Sequence, residues 1–181
     1  MGNDGTRVAV KKNGPVVRLK NGNFKIDLAD DHSQLLTQLI EQLRDSLTTT
    51  TDGANLRRLF PTAYHNDAKK DAEYQRLMRD ELLESRLAAI DVAISVIAQD
   101  DEITAEEIDA FSRSINSLRL VLGTTLDIAE SDYGSQGDTQ HGENSDSDQA
   151  SEADEYLIQK ELYEYLGWLL EWTVSAQSSG L

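Results

Sequence analysis

The chain has 181 residues, a length that suits one domain with a sizeable hydrophobic core. Only 39% of the residues are hydrophobic and the formal net charge is −16, so we expect part of the chain to stay unpacked and the acidic surface to disfavour binding to nucleic acid. The sequence contains no cysteine, which excludes disulfides, thiolate zinc sites and cysteine nucleophiles.

The N-terminal segment is basic and is predicted to form β-structure over about residues 6–28. In PVVRLKNGNFKIDL, apolar residues alternate with polar ones around Asn21 and Gly22, a pair typical of a type I′ turn. The preceding run TRVAVKKNG is predicted to add a third strand. Residues 1–25 hold six basic residues against one acidic residue, a balance of +5, which leaves −21 for the rest of the chain.

Four principal helices are predicted after the strands, because apolar residues recur at three- and four-residue spacing. Asp31 or Ser33 is available to cap the first helix. Thr104, with Glu107 three residues later, has the pattern of a capping box at the start of the third. The four predicted helices cover about residues 31–47, 67–97, 104–122 and 154–177.

An acidic segment separates the last two helices. Residues 130–155 hold nine acidic residues, no basic residue and almost no apolar side chain, so residues 130–153 are predicted to form a disordered loop. We expect one domain over residues 1–177 that contains this loop. Its predicted fold is mainly α, a bundle of about four principal helices with a small N-terminal antiparallel β-hairpin or meander.

Four sequence blocks carry a resemblance to a known family. They are LRRLFPTAY followed by an acidic ND, RLAAIDVAISVI, INSLRLVLGTTLDIAESD and LYEYLGWLLEW. In their order and spacing these blocks resemble DUF2017, an actinobacterial family of uncharacterised proteins, over about residues 24–174. The resemblance implies no catalytic residue, and some members are labelled transcriptional regulators. The chain departs from the family pattern at Thr125, where arginine is common, and at Asp127, where glycine is common.

The motifs of common enzyme and metal sites are absent from the sequence. DDEITAEEIDAF imitates half of a calcium EF-hand, but Val96 and Ala98 stand where that loop needs oxygen ligands. The histidines at 32, 65 and 141 lack the Glu-x-x-His pattern of a di-iron bundle. No nucleophile elbow or phosphate-binding glycine loop occurs either. We therefore expect that the chain is not an enzyme and that it binds neither a cofactor nor a metal.

Arg119 is the main candidate binding residue, because it lies within the apolar run SLRLVLGTTL and a desolvated guanidinium needs an acceptor. We predict that Arg119 pairs with Glu171 or Glu164 where glycines let the third and last helices approach. The alternative is that Arg119 and Asn116 line a pocket for a small acid or a peptide carboxylate. The two facing lines of residues are Asn116, Arg119 and Gly123 on one helix and Glu164, Gly167 and Glu171 on the other.

The predicted function is that of a non-catalytic, cytoplasmic regulatory or protein-interaction protein with a protein partner. No run of apolar residues reaches the roughly 18 that a membrane span needs, so no membrane association is expected. Trp168 and Trp172 are predicted to lie in the core, with Tyr163 or Tyr165 as an exposed anchor.

The alternative function is that of a DNA-binding transcriptional regulator that uses the basic N-terminal sheet. On a competing interpretation, the lysines of this segment only protect exposed sheet edges from aggregation. The candidate DNA contacts are Lys11, Lys12, Lys20, Lys25, Arg57 and Arg58.

Overall fold

A computed structural model of the chain describes residues 14–49, 53–99, 101–127 and 148–179, with side chains of the last range described from residue 153 onward. Within these ranges, two short strands precede four long helices. The elements are β1 (Val16–Arg18), β2 (Phe24–Ile26), α1 (Asp30–Thr49), a 3-10 helix (Ala54–Leu59), α2 (Ala68–Ala98), α3 (Ala105–Thr125) and α4 (Asp148–Ser178). The predicted fold class, a helical bundle with a small N-terminal antiparallel sheet, is confirmed.

The turn between β1 and β2 differs from the predicted type I′ turn. The Gly22 amide donates to the Leu19 carbonyl at 3.1 Å, and the Leu19 amide donates to the Asn23 carbonyl at 2.8 Å. Among the described residues, Gly22 has a positive φ of 90° and Asn21 does not. A type I′ turn needs positive φ at both central residues, so the prediction was wrong. The loop is instead a β-turn over residues 19–22 that ends in a left-handed glycine.

The hairpin is fastened to the start of α3. Phe24 exchanges two backbone hydrogen bonds with Ile103, at 2.8 and 2.9 Å, so the segment before α3 lies beside β2 like a short third strand. The Glu102 carboxylate accepts hydrogen bonds from the side chains of Asn21 at 2.7 Å and Asn23 at 3.2 Å, which lower its pKa. The third strand predicted from TRVAVKKNG falls on residues before Gly14, outside the described ranges.

The predicted starts of α2 and α3 are confirmed, whereas α1 begins at Asp30, ahead of the predicted caps Asp31 and Ser33, so that cap prediction was wrong. The Asp67 side chain accepts from the Lys70 amide at 3.0 Å before α2. Thr104 and Glu107 form the predicted capping box before α3. Each cap satisfies an amide at the helix start that has no partner within the helix.

Helix α4 begins at Asp148, six residues earlier than predicted. Residues 148–153, which were predicted to be part of the loop, are thus helical. Their sequence, DQASEA, is rich in alanine, glutamine and glutamate, which favour helix formation. Residues 130–147 of the predicted loop lie outside the described ranges. Among the described residues, no helix is both long and apolar enough to cross a membrane.

Helix α3 is the centre of the bundle. It packs against α1, α2, α4 and the 3-10 helix, and Ile108, Phe111 and Ile115 of its apolar face are fully buried. Helix α4 also packs on β1, where the Arg18 guanidinium donates to the Gln177 carbonyl at 3.2 Å. The largest fully buried side chains include Ile108, Phe111 and Ile115 of α3, Leu36, Ile40 and Leu47 of α1, and Leu166 and Leu169 of α4.

Replacement of Gly22 by alanine should destabilise the fold through its backbone alone. No atom lies within 4 Å of a Cβ built at Gly22, so the expected loss of about 1 kcal/mol comes from forcing a side-chain-bearing residue into the left-handed region. Urea unfolding measures this loss. Lys20→Ala, in the same loop at negative φ, is the control and should change stability by less than about 0.5 kcal/mol. Equal effects of the two substitutions would contradict the assigned turn.

Candidate functional site

Arg119 lies where α3 meets α4, as its helical position predicts. Its guanidinium carbon is 4.4 Å from the centre of the Tyr163 ring on α4. A Cβ built at Gly167, one turn further along α4, would be 3.2 Å from the Arg119 Nε. The guanidinium therefore fills the space that the missing side chain of Gly167 leaves, with the face of Tyr163 beside it. A cation held over an aromatic ring in this way contributes about 0.5–2 kcal/mol.

Gly123 plays the reciprocal part on α3. It is buried, and a Cβ built there would be 3.0 Å from Cε2 of Tyr163 and 3.2 Å from Nη1 of Arg58. The contacts thus support the prediction that Gly123 and Gly167 let α3 and α4 approach each other closely. Each glycine gives room to a side chain of the opposite helix, Gly123 to Tyr163 and Gly167 to Arg119.

The other residues proposed for an Arg119 site occupy exposed positions on α3 and α4. Glu164 and Glu171 are exposed on α4, and their pairing with Arg119 stays a prediction. Asn116 is exposed on α3 and lines a cleft between α2 and α3 together with Arg86. Arg119 is not among the residues that line that cleft.

The four candidate DNA contacts that the structure describes lie at two separate places in the fold. Lys11 and Lys12 lie outside the described residues, and Lys20 and Lys25 belong to the hairpin that pairs with Ile103 before α3. The 3-10 helix carries the two arginines to the opposite end of α3, about 30 Å away at 1.5 Å per residue. There, Arg57 faces Asp127 at 3.8 Å and Arg58 lies against Gly123.

A row of aromatic side chains lies on the surface, and it was not predicted from the sequence. We define the aromatic surface as His32 and Leu35 of α1 with Tyr165, Trp168 and Trp172 of α4. Ring centres are 5.1 Å apart for His32 and Tyr165, 5.8 Å for Tyr165 and Trp168, and 6.5 Å for the two tryptophans. Trp168 is 46% exposed and Trp172 37% exposed, so their predicted place in the core was wrong.

The tryptophans are exposed because α4 carries two apolar stripes and buries only one. Leu166, Leu169 and Thr173 face the core and are fully buried. Trp168 and Trp172 are rotated by about 60–100° from Leu169 around the helix, which places them at the edge of the contact with the bundle. Gly14 lies directly against the Trp172 ring and covers part of it.

Carboxylates surround the aromatic surface. Three exposed glutamates of α4 lie within about 60° of Trp168 around the helix axis, and we call them the acidic rim: Glu161, Glu164 and Glu171. Burial raises the pKa of Tyr165, and the charge of Asp31 at the start of α1 raises it further. Residues 153–179 carry five acidic residues and the single base Lys160. The aromatic surface therefore lies in a negative electrostatic environment.

Comparison with known protein families gives a match. A family model described as a domain of unknown function, DUF2017, matches residues 14–177, nearly the whole chain. No curated protein and no solved structure matches the chain. Within the part of the chain that the structure describes, no three histidine, aspartate or glutamate side chains cluster as a metal site would require.

Replacement of Gly167 by leucine should destabilise the fold by about 2 kcal/mol, because the new side chain would occupy the space of the Arg119 guanidinium. Thermal or urea unfolding measures the change. Ser175→Leu, an exposed position of α4, is the matched control and should be close to neutral.

A double variant tests the cause of that loss. If displacement of Arg119 is responsible, Gly167→Leu combined with Arg119→Ala should lose less stability than the two single changes together. An unchanged melting temperature for Gly167→Leu, or strict additivity in the double variant, would contradict the proposed packing.

Proposed function

This chain belongs to the DUF2017 family, a domain of unknown function, and from that premise we propose that it is a non-catalytic regulatory protein that acts by binding a protein partner. The observation that carries the proposal is the aromatic surface, on which Trp168 and Trp172 are both more than one third exposed. Tyrosine and tryptophan are the residues most enriched at the energetic centres of protein interfaces. Their clustering on one exposed face favours binding rather than packing.

Burial of the exposed rings against a partner would contribute favourably to the free energy of binding. At about 25 cal/mol per Å² of apolar surface, burying the remaining surface of a half-exposed tryptophan contributes on the order of 2 kcal/mol. Leu35, 44% exposed beside His32 on α1, extends the same apolar area. An exposed apolar patch of this kind, rimmed by polar residues, is typical of an interaction site.

The acidic rim indicates what kind of partner fits. Cationic side chains can stack on the tryptophan and tyrosine rings and pair with Glu161, Glu164 and Glu171. The aromatic surface uses side chains from both α1 and α4, so a helix laid along it would contact both. We therefore infer that the partner presents an amphipathic helix with apolar residues on one side and lysine or arginine beside them.

The alternative function, a DNA-binding regulator, has weaker support. The net charge of −16 opposes the approach of phosphates. The hairpin lysines and the arginines of the 3-10 helix lie at opposite ends of α3, so they do not form one basic strip. Strongly salt-dependent DNA binding that weakens when Lys20 and Lys25 are neutralised would favour this alternative over protein binding.

Binding of a synthetic amphipathic peptide tests the proposed function. The chain has two tryptophans, both in the aromatic surface, so its intrinsic fluorescence reports on that surface when the peptide itself has none. We expect a saturable fluorescence change with a helical peptide of leucine and lysine. Trp168→Ala should weaken binding at least about tenfold, which corresponds to about 1.4 kcal/mol.

Two controls distinguish binding at the aromatic surface from nonspecific binding elsewhere on the protein. Leu77→Ala removes an apolar side chain that is 61% exposed on α2, and it should leave peptide affinity unchanged. A peptide with the same charge but no apolar side should bind weakly and lose affinity steeply with salt. Failure of the amphipathic peptide to bind, or equal affinity for native protein and Trp168→Ala, would refute the proposal.

A further inference from the structure

A cleft between α2 and α3 is lined by positively charged residues, although the protein as a whole is negatively charged. Its volume is about 200 Å³, and both of its charged lining residues are arginines, in a chain with a net charge of −16. No carboxylate is among its lining residues. We call it the arginine cleft, and its lining residues are Leu82, Ser85, Arg86, Ala89, Arg113, Asn116 and Ser117.

Arg86 is a half-buried cation held by neutral groups. Its guanidinium donates to the Leu59 carbonyl at 2.8 Å and to Oγ of Ser117 at 2.9 Å. Its Nε is buried and has no hydrogen-bond partner among the described residues. Within the described ranges, no carboxylate forms an ion pair with Arg86, and burial lowers its pKa. A desolvated cation without a counter-charge is costly, and a bound anion would offset that cost.

The second arginine of the cleft is able to turn towards a ligand. Arg113 pairs with Asp109 at 3.0 Å, one helical turn away, and both side chains are more than half exposed. Exposed pairs of this kind contribute little stability, so Arg113 can exchange its partner at small cost. Because both arginines line the same cleft, we expect both guanidinium groups to reach one anion.

Neutral donors complete the lining of the arginine cleft. Ser117 is fixed, because its hydroxyl donates to the Arg113 carbonyl while it accepts from Arg86. The Asn116 amide and the Ser85 hydroxyl form no hydrogen bond with other described residues. Two cations and two uncommitted neutral donors around one small cavity match the several acceptor oxygens of an oxyanion.

We propose that the arginine cleft binds a small oxyanion, and that the ligand group is a phosphate held between Arg86 and Arg113. A phosphate offers enough oxygens for both guanidinium groups and for the donors Asn116 and Ser85. A carboxylate shares part of this chemistry with fewer oxygens. The cleft lies between α2 and α3, whereas the aromatic surface lies on α1 and α4, so this inference is independent of the proposed protein partner.

Calorimetric titration of the full chain with inorganic phosphate, and separately with acetate, tests the inference at constant ionic strength. We expect saturable phosphate binding and a melting temperature that rises with phosphate concentration. Arg113→Gln and Asn116→Ala should each weaken binding, the arginine change by about tenfold or more. These two variants carry the test because Arg86 also links α2 to Leu59 and Ser117, so its replacement would disturb the fold itself.

Arg44→Gln is the matched control. Arg44 is an exposed helical arginine that pairs with Asp91 at 3.0 Å, as Arg113 does with Asp109, but it lies outside the cleft. Its replacement should leave phosphate binding unchanged. Trp168→Ala should also leave it unchanged, which distinguishes this site from the aromatic surface.

The results of these titrations distinguish phosphate binding from carboxylate binding, and both from a purely structural role of Arg86. Acetate binding that is tighter than phosphate binding and is lost in Arg113→Gln would show that the cleft binds a carboxylate and would overturn the assignment of phosphate. No saturable binding of either anion, or an equal loss in Arg44→Gln and Arg113→Gln, would overturn the inference. In that case Arg86 serves only to join α2 to the 3-10 helix and to α3.

Discussion

The reciprocal packing of Arg119 and Tyr163 is the contact on which the position of α4 depends. Gly167 leaves room for the guanidinium on one helix, and Gly123 leaves room for the aromatic ring on the other. Glycine within a helix costs about 1 kcal/mol relative to alanine, so two glycines at one contact indicate that the space they leave is used. With α4 fixed in this way, its second apolar stripe is turned outward, and the Trp168 side chain is 46% exposed.

The sequence was most informative where structure depends on neighbouring residues. The capping box of Thr104 and Glu107 was predictable because both hydrogen bonds close within four positions. The hairpin was predicted as well, but its turn type was not, since Asn-Gly fits more than one loop and the pairing with Ile103 helps to select among them. The backbone at Asp127 was not predicted either. Its φ of 52° lies in the left-handed region, which glycine adopts more readily than aspartate.

The candidate sites were harder to predict because they depend on helix rotation and on distant partners. Helical spacing correctly brought Arg119 to the contact with α4. It did not identify which side of α4 faces solvent, since that depends on how α1 and α3 together cover Leu166 and Leu169. The role of Arg86 was equally hidden, because its acceptors lie 27 and 31 residues away along the chain. Such contacts leave no periodic signal in the sequence.

The meeting of β1 with the end of α4 has a practical consequence for work with this protein. Gly14 rests on the Trp172 ring, and Arg18 reaches the Gln177 carbonyl, so both extremities of the described fold converge beside the tryptophans. A bulky group attached to the chain at Gly14 would lie beside the Trp172 ring and would cover more of the aromatic surface. Labels at exposed positions of α2 would leave the aromatic surface uncovered.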